Sequence, residues 1–70
     1  MAWIKPEAIM SILKCMQDAD VPLTISNLVK EEEALGLNAY HAATAFEDCV
    51  EKGWIETQGD KIILKNVNTP

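Results

Sequence analysis

The sequence predicts a single α+β domain in which three helices are closed by a C-terminal β-hairpin. Three observations carry this. Apolar residues recur at helical spacing in three successive blocks. Gly36 and Gly53 stand where the second and third blocks end. Two short apolar runs flank Gly59-Asp60. A chain of 70 residues has room for one domain, and one of this size buries only a modest share of its surface.

The first helix is expected to begin at Pro6, since a missing N–H costs nothing in a first turn. Ile9, Ile12, Leu13 and Met16 then fall at i, i+3, i+4 and i+7, one apolar stripe running to about Ala19, with Lys14 and Gln17 on the wet side. Pro22 ends the helix by disfavouring a helical residue before it. Residues 21–24 are short and suit an extended link. Thr24 or Ser26 offers an N-cap oxygen to the second helix. Ile25, Leu28 and Val29 form its stripe, and Lys30 to Glu33 form a charged, solvated exit.

Gly36 suits the left-handed residue that closes a helix, and Asn38 suits the N-cap of the next. The third helix is expected from Ala39 to Lys52. Ala42, Ala45, Phe46, Cys49 and Val50 share one of its faces, and the small residues at 42 and 45 let another helix approach closely. Gly53 ends it. Residues 54–57 and 61–64 then read as two strands joined at Gly59-Asp60. The expected core is Ile9, Ile12, Leu13, Met16, Leu28, Ala45, Phe46 and Cys49. The domain occupies residues 6–65, with an N-terminal arm at 1–5 and a flexible tail at 66–70.

This order of elements resembles the winged helix-turn-helix superfamily. The residues that carry the likeness are Pro22-Leu23-Thr24 leading into Ile25 and Leu28, then Leu35-Gly36-Leu37, then Phe46 and Cys49. Glu51-Lys52-Gly53-Trp54-Ile55-Glu56 resembles the junction of helix, Glu-Lys-Gly and apolar pair in MarR-like domains. The resemblance covers about residues 6 to 65. It implies that residues 38–52 are a DNA-recognition helix and that residues 58–61 form the tip of the wing. This chain departs from the pattern in the acidic open side of that helix, in a short wing with one strong positive charge near its tip, Lys61, and in having no flanking helix to build a dimer.

Composition bears on function more than on fold. Apolar residues make up 49% and charged residues 24%, an ordinary globular balance. The net charge is −5, and all six positive charges are lysines. Without arginine the bidentate fork that suits phosphate and guanine is missing, and an acidic balance repels nucleic acid and anionic membrane at long range. Cys15 and Cys49 form no C-x-x-C pair and are expected as reduced, packed thiols. The first residues lack the apolar run of a signal peptide, and no run approaches the ~18 residues of a membrane span, so a cytoplasmic location is expected by elimination.

Catalysis finds no footing. One histidine, His41, with Tyr40, Cys15, Cys49, Ser11 and Ser26, makes no visible nucleophile–base pair. The glycines at 36, 53 and 59 are too dispersed for a phosphate loop. His41 has no second ligand one turn away, so no metal, cofactor or enzymatic activity is expected.

Two functions compete. The first is a small non-enzymatic module that binds a protein partner in a regulatory setting, viral or mobile-element among them. Its contact surface is the third-helix face of Tyr40, His41, Thr44, Glu47, Asp48 and Glu51, where amphipathic residues sit beside negative charge. The alternative is a DNA-binding transcriptional regulator that reads with Asn38, Tyr40, His41 and Thr44 and anchors through Lys61 and Lys65. Trp3, Ile4 and Ile63 fall off the core stripes. Either the N-terminal arm folds back over the outer face of the hairpin, or these residues form an open apolar patch that pairs two copies or docks a partner. Whether the chain is a monomer or a homodimer stays open.

Overall fold

The computed structural model describes residues 3–65. In chain order it contains α1 (Pro6–Asp18), α2 (Ile25–Ala34), α3 (Ala39–Glu51), β1 (Ile55–Gln58) and β2 (Lys61–Leu64). The expected tail at 66–70 lies outside the described residues. Among those residues no helix is long and apolar enough to cross a membrane.

All three helices end in the same hydrogen-bonded closure. After α2 the Gly36 N–H donates to Glu33 O at 3.0 Å and the Leu37 N–H to Glu32 O at 2.9 Å. After α3 the Gly53 N–H donates to Val50 O and the Trp54 N–H to Cys49 O, both at 3.0 Å. This paired pattern is a Schellman motif and requires a left-handed residue at its corner. Gly36 and Gly53 supply it with φ of 74° and 78°. After α1 the same bonds run from Asp20 to Gln17 O and from Val21 to Met16 O, but the corner residue is Asp20, at φ 60°. A Cβ there is strained, although a short polar side chain tolerates it better than most.

The starts of α2 and α3 are capped by side chains that the sequence supplies, while α1 begins on Pro6 with no side-chain cap. Thr24 Oγ1 accepts from the Asn27 N–H at 3.1 Å, so Thr24 is the N-cap of α2, not Ser26. Asn38 Oδ1 accepts from the Tyr40 and His41 N–H groups at 2.9 and 3.1 Å.

β1 and β2 pair antiparallel, with Ile55 opposite Leu64 and Gln58 opposite Lys61, so Gly59-Asp60 is a two-residue turn. The other edge of β2 is used too. The Ile62 N–H donates to Leu23 O at 2.9 Å, and Thr24 makes an antiparallel bridge to Lys61. The link between α1 and α2 is therefore extended, as its composition predicts. Asp60 completes the attachment. Its backbone oxygen accepts from the Ile25 N–H at 2.7 Å, and its carboxylate accepts from the N–H and hydroxyl of Ser26 at 3.2 and 3.0 Å. The turn of the hairpin is thus pinned to the amino end of α2, where a negative charge is favoured.

The core joins Ile9, Met10, Leu13 and Met16 of α1, Leu28 of α2, Ala45 and Cys49 of α3, and Ile55 and Ile62 of the hairpin. Ile12 and Phe46 pack against it only partly buried. Met10, which the stripe leaves out, is buried because α1 touches both α2 and α3 and so hides a wider arc than one stripe. Val50 is 40% exposed, at the edge of the face where it was expected to be covered. Ile62 and Leu64 turn toward the core, which puts Ile63 on the opposite side of the strand, half-buried.

Three stability predictions follow. Gly36→Ala and Gly53→Ala should each cost roughly 1 kcal/mol in urea unfolding, because an alanine there is strained even in open space. Asp20→Gly should leave stability unchanged or raise it by about 0.5 kcal/mol; a loss would show that the aspartate has a bonding role at that corner. Asp60→Ala should cost about 1–2 kcal/mol, since it strips two acceptors from the start of α2.

Candidate functional site

The site begins with which side of α3 is hidden. Ala42, Ala45 and Cys49 are buried, and Cys49 Sγ donates to Pro6 O at 3.3 Å. Burial first, then the nearby Asp48 and Glu7 charges, pushes the Cys49 thiol up to about 11, with Lys52 opposing. Cys49 is an inert, packed thiol. Cys15 is exposed, contrary to the expectation that both are packed, because it lies outside the stripe of Ile9, Leu13 and Met16.

With that face fixed, the helical period sorts the remaining residues into three arcs. Tyr40, Thr44, Glu47 and Glu51 form the outermost stripe, and all four are exposed, Tyr40 by 76%. His41 and Asp48 do not belong to it. They lie on the flank toward the N-terminal arm and are half-buried. The Trp3 ring sits 5.2 Å from the His41 ring, and Tyr40 flanks the same imidazole at 6.0 Å. The open face expected to hold six residues therefore holds four.

This stacking also decides the N-terminal arm. Trp3 lies beside α3, still 78% exposed, while Ile4 packs partly buried against the core and Ile63 is half-buried across from Glu56. Of the three apolar residues outside the core stripes, Ile4 is drawn against the core and the Trp3 ring lies against an imidazole.

The opposite flank faces α2. Ala39, Ala43, Phe46 and Glu47 of α3 and Ile25, Leu28, Val29 and Glu32 of α2 line a cleft of about 170 Å³. Its walls are apolar apart from two carboxylates. Glu32 is the unexpected one. As a whole residue it is only 6% exposed, and its carboxylate, which makes no hydrogen bond or ion pair with a described residue, keeps its contact with solvent at the cleft. Desolvation raises its pKa. The view of residues 31–33 as a solvated helix end fails at this residue. The signal was present in the sequence: Ile25, Leu28, Val29 and Glu32 fall at i, i+3, i+4 and i+7, so Glu32 stands at the last position of the α2 stripe.

The residues of the DNA alternative are placed as follows. Asn38, Tyr40 and Thr44 lie exposed at the amino end of α3, and His41 is half-covered. The Asn38 carbonyl is occupied in capping, and Thr44 Oγ1 donates to Tyr40 O at 3.1 Å. Lys61 is exposed at the start of β2. Lys65 is paired with Glu56 at 2.9 Å, and this bond holds the Glu56 carboxyl below its ordinary range. Lys52 lies 5.5 Å over the Trp54 ring.

No family model, curated protein or solved structure matches this chain.

The desolvated carboxylate makes a signed pH prediction. The folded state holds the Glu32 proton more tightly than the unfolded chain does. Stability therefore falls as pH rises from the ordinary carboxylate range through the raised folded pKa, and the full penalty is present above it. Glu32→Gln should be more stable than the native chain at pH 7 and lose that advantage as pH falls to 4 and below. Equal stabilities at every pH would mean that the carboxylate is hydrated.

Proposed function

We propose that this chain is a winged helix-turn-helix module that works without catalysis, by binding a protein partner in a regulatory setting. The architecture supports the first half of this. α1, an extended link bridged to β2, α2, a tight turn, α3 and a terminal hairpin follow the order that the resemblance implies.

The observation that carries the second half is the outer stripe of α3. Tyr40, Thr44, Glu47 and Glu51 include two carboxylates and no cation. A helix entering a major groove presents this stripe to phosphates and bases. A carboxylate ~7 Å from a phosphate costs about 0.6 kcal/mol in water and about 2.4 kcal/mol at an intermediate dielectric. The cations that might offset it are few. Lys65 is engaged with Glu56, and the two-residue hairpin turn is tied to α2 through Asp60, so it is no free arm for a minor groove. DNA binders draw much of their affinity from many phosphate contacts that release counterions.

An exposed tyrosine beside carboxylates suits a different surface, one that carries positive charge and a place for an aromatic ring. The rival function as a DNA-reading regulator retains the polar amino end of α3, Asn38, Tyr40 and Thr44.

Titration with mixed-sequence duplex DNA separates the two. At low salt the native chain should show no measurable binding, and it should pass through a heparin column unretained. Tight binding whose affinity falls steeply with added salt would establish the DNA regulator instead.

A further inference from the structure

The cleft between α2 and α3 has no part in the outer stripe except through Glu47, yet it is the place where the chain tolerates a burial cost. Glu32 stands among Ile25, Leu28, Val29 and Phe46 with no cation beside it. Its carboxylate oxygens are not sealed off but meet solvent at the mouth of the cleft, desolvated by the apolar walls and without a counter-charge. Glu47 faces the same cleft from α3 and adds a second negative charge at its edge. At about 170 Å³ the space falls below the roughly 300–1,000 Å³ of small-molecule pockets, so its size suits one side chain of a partner.

We propose that the α2–α3 cleft receives an amphipathic helix of a partner protein, with one apolar side chain seated among Leu28, Val29 and Phe46 and an adjacent lysine or arginine paired with Glu32 and Glu47. The inference rests on the protein-binding function proposed above and names the chemistry of the partner.

Charge selects this occupant over others. A second copy of the chain carries a net charge of −5 and meets like charge at the cleft. Nucleic acid and anionic lipid meet the same repulsion. A purely apolar helix would seal Glu32 away from water with no counter-charge, the costliest arrangement. A cationic amphipathic helix removes both defects at once: it covers the apolar walls and supplies the missing positive partner. The raised proton affinity of Glu32 agrees with a carboxylate in want of a counter-ion.

The test uses the full chain and three labelled synthetic peptides of equal length: a leucine–lysine amphipathic helix, its leucine–glutamate counterpart, and a serine–lysine peptide of the same charge. Binding is read by fluorescence anisotropy, and the binding site by amide chemical shifts. The leucine–lysine helix should bind, shift residues 25–32 and 39–47, and lose about tenfold in affinity for the Glu32→Gln/Glu47→Gln variant. Ala43→Trp, which fills the cleft from an exposed position, should abolish binding while circular dichroism stays native. Equal binding of the serine–lysine peptide, or no binding of the leucine–lysine helix, overturns the inference. So do shifts confined to Tyr40, Thr44 and Glu51, an outcome that would leave the outer stripe as the protein-binding surface. Failure of the protein-binding function itself would appear separately, as salt-dependent affinity for duplex DNA.

Discussion

The packing of α3 on α1 governs the rest of this molecule. Ala45 and Cys49 share one buried cluster with Ile9 and Leu13, and Ala42 is fully covered beside them. Small side chains at one face bring two helices close, and the Cys49 thiol reaches the Pro6 carbonyl across that contact. Once this face is buried, helical geometry leaves no freedom in what points away. Tyr40, Thr44, Glu47 and Glu51 must face solvent, His41 and Asp48 must flank the N-terminal arm, and Ala43 and Phe46 must look toward α2. The exposed surface of α3 is a consequence of the core.

The hairpin and α2 form the second half of the frame. β2 is bonded on both sides, by β1 and by the link at Leu23 and Thr24, so the small sheet has the character of three strands, although only two are long enough to count. Asp60 then ties the turn to the first residues of α2. α2 is held at its amino end by the hairpin and at its carboxyl end by the Gly36 closure. These attachments frame the cleft it forms with α3. A cleft that desolvates a carboxylate and gives it no counter-charge sacrifices some stability. Such sacrifices are common where a surface serves a partner.

Much of this was legible in the sequence, and the failures share one physical origin. The helices, the hairpin turn and the closing glycines at 36 and 53 follow from local rules, apolar period and backbone preference, which the chain carries within a few residues of each site. The strand start shifted from Trp54 to Ile55 because Trp54 is taken up by the helix closure. What local rules miss is contact between distant segments. Glu32 looked solvated because its neighbours Glu31 and Glu33 suggested a charged run, but α3 covers it. His41 looked open until Trp3 packed on it, and Lys65 looked free until the hairpin brought Glu56 diagonally beside it. Asp20 in a left-handed corner carries no sequence mark, since glycine is the residue that usually announces one.

The two cysteines report directly on which side of α3 is buried. Alkylation of the native, reduced protein with excess iodoacetamide, resolved by peptide mass spectrometry, measures both in one experiment. The exposed Cys15 should react at the rate of a free thiol. Cys49, buried and with its thiol held protonated by its surroundings, should react only when the whole domain unfolds. Comparable rates at the two sites in the folded protein would contradict this account, because α3 would then be turned about its axis and a different set of side chains would face outward.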